Sequence, residues 1–204
     1  MKTRFLIAAC LMAFFVLSLT LTAPAQDEKP PKQKSEKFGA LAYLPHGAGP
    51  AMVGAGARVN VDLWVNSYTT DTDAKTMAAA LLEGGSPSLL KQLENAKSIG
   101  KVRLVGRAGF YDFKLIRSHP IEGGRRIYAV GDRPMGFLEV YAGGRSMDYP
   151  FGIMQLDLKT NEKGKEEGKG ALIYAAKIKV LENNRIEIES YGVGAIELMA
   201  VRKL

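Results

Sequence analysis

From Gly100 onward the sequence keeps returning to one pattern: short runs of alternating apolar and polar residues, separated by Gly- or Asn-rich turns. Alternation with period two puts successive side chains on opposite faces of a strand. Val102 and Leu104 begin the series. Phe110–Ser118 and Arg125–Val130 flank His119-Pro120-Ile121-Glu122-Gly123-Gly124, a hairpin signal in which His119 and Pro120 belong to the turn. Gly136–Ala142 and Phe151–Leu158 are two more strands, and Thr160–Gly170 is a charged, Gly-rich hairpin loop. In Ala171–Leu181 the residues Leu172, Tyr174, Ala176, Ile178 and Val180 share a face, with Lys177 and Lys179 on the other. Asn183-Asn184 then marks a tight turn, because Asn tolerates positive φ. Ile186 and Ile188 alternate with Glu187 and Glu189, so Lys and Glu rows are expected to meet across strands. Ile196–Val201 follows the Gly192-Val193-Gly194 turn. Hairpin after hairpin predicts an antiparallel sheet of about eight strands, curled into a barrel or folded into a sandwich to hide its apolar face.

Upstream, the pattern changes. Phe38–Ala57 is apolar but carries five glycines and two prolines, which read as a strand over Gly39–Leu44 and then a loop. The spacing matches neither phosphate-binding glycine motif, and the segment precedes a strand where such a loop should follow one. In Arg58–Tyr68, Val59, Val61, Leu63 and Val65 face one way and Asn60, Asp62, Trp64 and Asn66 the other. Trp64, on the wetter side, is either a ligand platform or, the commoner case, covered by a neighbouring helix. Thr70–Glu83 has helical spacing, with Thr70 and Asp73 as a capping pair and Ala74, Met77, Ala78, Leu81 and Leu82 as the apolar stripe. Gly84-Gly85 stops it. A second helix begins with Ser86 as its cap and Pro87 at the first helical position, burying Leu89, Leu90 and Leu93. The predicted fold is therefore α+β: a sheet with one helix–Gly-Gly–helix pair on it.

The N-terminus reads as a secretory signal peptide over residues 1–25. Lys2 and Arg4 precede the uncharged run Phe5–Leu21, and Ala23-Pro24-Ala25 offers a cleavage site. An uncleaved anchor would need about 20 apolar residues, which this run barely reaches. Lipidation at Cys10 is excluded by the short apolar stretch before it. Cleavage of the 204-residue chain leaves 179 residues and lowers the net charge from +7 to +5. It also removes Cys10, the one cysteine, and with it any thiol, disulfide or cysteine-ligated metal. Gln26–Lys37, rich in Lys and Pro, reads as a flexible tether, leaving residues 38–204 as a single compact domain with no membrane span. The expected location is periplasmic or extracellular.

Few residues announce chemistry. His46 and His119 are far apart in sequence and lack metal-ligand spacing, so they read as exposed loop histidines. There is no G-x-S-x-G elbow, and neither a cofactor nor a catalytic set is predicted. A modest positive charge favours anionic partners but falls short of a nucleic-acid stripe. The densest polar–aromatic stretch is Gly131–Phe151 (GDRPMGFLEVYAGGRSMDYPF). Within it Arg133, Tyr141, Arg145, Asp148 and Tyr149 form the candidate ligand-binding set, since Arg with Tyr suits a carboxylate, phosphate or sugar. The plainer reading is that Asp132–Arg133 and Arg145–Asp148 are local ion pairs that shape loops. Arg125-Arg126 reads as a solvated hairpin shoulder.

The runs LLEGGSPSLLKQL, GGRRIYAVGDRPMGF, GGRSMDYPFGIMQLDL and GKGALIYAAKI resemble segments of a family of uncharacterised secreted bacterial proteins. That resemblance implies export and one compact domain, with no activity to carry over. The expected function is a non-enzymatic, exported binding or envelope-associated protein, its partner an anionic envelope component or a small carboxylate or sugar. Two alternatives remain: a hydrolase or isomerase using Asp132, Glu139 and Asp148, and a lipocalin-like carrier with a large apolar cavity.

Overall fold

Side chains that alternate in and out of a sheet require something to enclose, and this sheet encloses its own interior by curling. The computed structural model describes residues 35–43, 58–106, 108–135, 148–181, 185–191 and 195–204, all within one unit, Gln33–Leu204. The elements are β1 (Glu36–Tyr43), β2 (Arg58–Val65), α1 (Asp71–Asn95), β3 (Gly100–Leu104), β4 (Tyr111–Phe113), β5 (Leu115–Ile121), β6 (Gly124–Val130), β7 (Phe151–Thr160), β8 (Glu166–Val180), β9 (Ile186–Ser190) and β10 (Ile196–Lys203). Their spatial order is β4-β3-β2-β1-β10-β8-β7-β6-β5, with β9 added to β8, and neighbours pair antiparallel. The two ends of that order, β4 and β5, are consecutive in sequence, with only Lys114 between them. One run of chain thus joins both edges of the sheet, and Thr69 and Ile116 exchange two hydrogen bonds across the join. The result is a nearly closed antiparallel barrel with one helical element. It has ten strands rather than about eight; Phe110–Ser118, expected as one strand, is divided at Lys114.

The interior is filled. Phe38, Val102, Phe113, Ile116, Ile127, Leu156, Leu158 and Leu172 point inward and are at most 1% exposed. Each such side chain contributes roughly 1.5–3 kcal/mol by leaving water. Tyr111 also points in, where its hydroxyl donates to Arg133 O and accepts the Gly152 N–H at 3.1 Å. Its ring fits because Gly131 and Gly152 lack side chains; a Cβ there would sit 2.1 and 2.5 Å from the phenol oxygen.

The helix covers the outside. Thr70 Oγ1 accepts the Asp73 N–H, as the capping pair predicts. Gly85, at φ 66° and ψ −159°, kinks α1 into two helical halves, as the Gly-Gly pair predicts. Met77, Leu81, Leu89 and Leu93 meet Phe151, Ile153, Ala176 and Ile178. The buried stripe is narrower than expected: Ala78 and Leu82 face solvent, because the helix touches the sheet along one line only. Ser86 is not spent as a cap. Its buried hydroxyl donates to Ile178 O at 2.5 Å and accepts the Ile178 N–H at 3.3 Å. Ile178 lies beyond Ala176, the partner of the first β7 residue, so β7 cannot satisfy it and the helix does so instead.

Four sequence expectations are corrected. The β8 residues do not share one face: Leu172 and Tyr174 enter the barrel, whereas Ala176, Ile178 and Val180 meet the helix. A register shift between Phe151 and Ile153 gives β8 an extra residue there, which reverses the alternation. The charged loop is only 161–165, since β7 runs to Thr160 and β8 starts at Glu166. His119 and Pro120 lie in β5, opposite Arg126 and Arg125, and the turn is Glu122-Gly123, with Gly123 at φ 73°. Finally, β1 starts at Glu36, so the last two residues read as tether belong to the barrel. The Lys and Glu rows do meet, with Lys177 opposite Glu189 and Lys179 opposite Glu187. His46 and Gly136–Ala142 lie outside the described residues. No helix among the described residues is long and apolar enough to cross a membrane.

Candidate functional site

Because Val61, Leu63 and Val65 are buried in the barrel, the pleat sends Asp62 and Trp64 outward. Register then decides their neighbours. Trp64 lies between Lys37 of β1 and Lys101 of β3; Asp62 lies opposite Arg103 of β3. Lys37 Nζ stands 5.1 Å, Lys101 Nζ 5.6 Å and Arg103 Cζ 5.1 Å from the Trp64 ring centre. Phe110 meets that ring edge-on at 5.7 Å and has Lys101 Nζ 4.5 Å from its own centre. Asp62 pairs with Arg103 at 3.1 Å and Lys37 at 3.6 Å; Lys101 stands opposite Asp112, which Ser98 and Arg133 hold, and has no ion pair among the described residues. Arg103 Nε is buried without a hydrogen-bond partner. Trp64 is therefore half-buried under cations and Phe110, not under a helix as expected. Each cation–π contact here contributes about 0.5–1 kcal/mol.

The predicted ligand-binding set is only partly described. Tyr141 and Arg145 lie outside the described residues, as does Glu139. Arg133 is half exposed and reaches Asp132 at 3.4 Å and Asp112 at 3.5 Å, over the Tyr111 ring at 5.5 Å. Asp132 also holds Lys114 at 3.7 Å. Tyr149 lies tilted against Tyr191, ring centres 5.3 Å apart, and Asp148 is exposed. No hydrogen bond or ion pair among the described residues joins Arg133 to Asp148 or Tyr149.

A second charged cluster went unseen in the sequence. At the barrel end where β1 begins and β10 finishes, Arg125 points inward between two carboxylates. Its guanidinium grips Glu166 at 2.6 Å twice and Glu36 at 2.9 and 3.1 Å. Tyr68 donates to Glu36, and Lys203 reaches Glu36 at 2.5 Å and Glu166 at 3.4 Å. Burial alone would raise the Glu36 pKa, but hydrogen bonds from Arg125, Lys203 and Tyr68 outweigh it and hold it down at about 2. Arg125 likewise lowers Glu166, chiefly by its hydrogen bonds. Burial, then the Glu36 carboxylate, raises the Tyr68 phenol. The expected solvated shoulder is thus two different residues. Arg125 plugs the barrel, while Arg126, one pleat on, forks to Asp157 at 2.6 and 2.7 Å on the outer face.

A cleft of about 430 Å³ opens between the two ends of α1 and the adjoining barrel segments, beside the packed helix face. Its Thr70, Asn95 and Lys114 side chains already bond to Asp73, Lys91 O and Ala96 O. No protein-family model, curated protein or solved structure matches the chain.

Proposed function

We propose that this is an exported, non-enzymatic bacterial protein that binds an anionic component of the cell envelope through the outer face of β1, β2 and β3. The observation that carries this reading is the imbalance at Trp64: Lys37 and Arg103 share Asp62, and Lys101 has no ion pair among the described residues, its cross-strand neighbour Asp112 being held by Ser98 and Arg133. At the plug and at Arg126, by contrast, each arginine meets carboxylates in two-toothed pairs, the geometry that consumes its donors. Carriage of an apolar ligand would need an empty interior, and the inward positions hold Phe38, Phe113 and Ile127.

The test is a thermal melt of the purified protein with dextran sulfate or neutral dextran. At 100 times the dissociation constant, dextran sulfate should add about 2.7 kcal/mol, a rise of roughly 5–10 °C for a domain this size. The rise should shrink with added salt. Absence of a rise, or an equal rise in Lys101→Glu/Arg103→Glu, overturns the proposal.

A further inference from the structure

We infer that the β3–β4 hairpin docks this protein on an anionic lipid surface. The inference rests on the anion-binding reading above and names its partner. Between β3 and β4, Gly106 and Gly109 take φ 83° and 95°, and Val105 and Phe110 stand 42% and 48% exposed. Neither side chain can hydrogen-bond, so a water-soluble polyanion gains nothing from them. A bilayer interface does: it takes up apolar groups at the depth where its charged headgroups begin. The cations stand where such insertion would bring phosphates to them. Lys101 and Arg103 lie 4.5 and 5.8 Å from the Phe110 ring centre, and Lys37 lies beyond, across Trp64. Long basic side chains reach past buried stems to headgroups, and an indole ring beside them belongs at the same level.

The rival partner is an acidic glycan. Sugars bind tryptophan by stacking on an open ring face, but three cations already stand within 5.1–5.6 Å of the Trp64 ring centre. The groups left open are the apolar ones at the hairpin. Exposed aliphatic and phenyl surface beside unbalanced cations matches a charged bilayer better than a hydrated sugar chain.

Trp64 is the only tryptophan in the chain, so its fluorescence reports the docking directly. All described contacts fall within Gln33–Leu204, so the chain is used from Gln26; the apolar run Phe5–Leu21 then cannot itself enter lipid. The probes are vesicles of phosphatidylcholine alone and of phosphatidylcholine with about 30% phosphatidylglycerol. The expected result is co-sedimentation with the anionic vesicles only, with Trp64 emission moving to shorter wavelength. Each removed cation should weaken partition about fivefold. Phe110→Ala should weaken vesicle partition at least threefold more than it weakens dextran sulfate binding, which depends on the ring only through its contacts with Lys101 and Arg103. Binding to dextran sulfate without binding to anionic vesicles overturns the lipid inference and leaves the anion-binding reading standing. Failure with both overturns both. Vesicle partition unaffected by Phe110→Ala overturns the hairpin as the docking element.

Discussion

The barrel carries two clusters of basic and aromatic residues, and they use charge in opposite ways. At the plug, Arg125 is gripped on two sides by Glu36 and Glu166, with Lys203 and Tyr68 completing the set. Around Trp64, Lys37, Lys101 and Arg103 gather on an aromatic ring, and the ion pairs among the described residues give them Asp62 alone, the neighbouring Asp112 going to Arg133. The plug has almost no unspent donors and lies inside the sheet; the Trp64 face has donors to spare and lies outside. A matched cluster answers to the fold, and a surplus one is open to a partner. Counting arginines would not separate the two, because the distinction lies in which carboxylates the register delivers.

The sharpest way to break that contrast is to remove the central cation of each cluster. Arg125→Met leaves Glu36 and Glu166 with Lys203 and the Tyr68 hydroxyl in place of the guanidinium and should cost about 3 kcal/mol in urea unfolding. Arg103→Met, at a 38%-exposed side chain, should cost under about 1 kcal/mol. Equal costs would erase the distinction. Acid titration comes next. Glu36 and Glu166 titrate lower folded than unfolded, so their contribution is complete above the unfolded value of 4.5 and is lost as pH falls toward about 2. Stability should drop by about 2 kcal/mol between roughly pH 5 and 2.5, and by less in Arg125→Met, which has no clamp to lose. A flat wild-type profile across that window would contradict the plug.

Smaller effects sharpen the picture. Ser86→Ala strands both backbone groups of Ile178 and should cost about 1–2 kcal/mol. The Ile178 amide should then exchange with solvent markedly faster; unchanged exchange would mean that another group satisfies it. The smaller of the two belongs to Phe110→Ala. At 48% exposure, and losing the edge contact with Trp64 and the two cations over its ring, it should cost about 1 kcal/mol by chemical unfolding. A larger loss would turn the hairpin from a contact surface into part of the core.

The sequence was readable where a single residue's choice is local. Val61, Leu63 and Val65 alternate and are buried as read; Thr70 caps and Gly85 kinks because their own backbone and side chains require it. It was unreadable where a partner strand decides. The reversal of faces in β8 comes from one extra residue relative to β7, which no period count in β8 alone reveals. Arg125 and Arg126 are chemically identical neighbours, and the pleat sends one into the barrel and the other out. Glu36 looked like part of a solvated tether because its partners lie 89 and 167 residues away, in Arg125 and Lys203. Trp64 reads from the sequence as a platform or, more commonly, as helix-covered, but its three cations come from two flanking strands whose pairing the sequence does not state.

The pairing of β1 with β10 sets an order of events in the making of the molecule. A growing chain can assemble the hairpins from β5 to β8 as they emerge. It cannot seat β1 between its two neighbours, or complete the Glu36–Lys203 contact, until β10 has been delivered. Closure of this kind is slow, because distant segments must meet. The same delay leaves the facing edges of β1 and β8 without their shared partner until β10 arrives, so a stalled chain would present open strand edges to its neighbours.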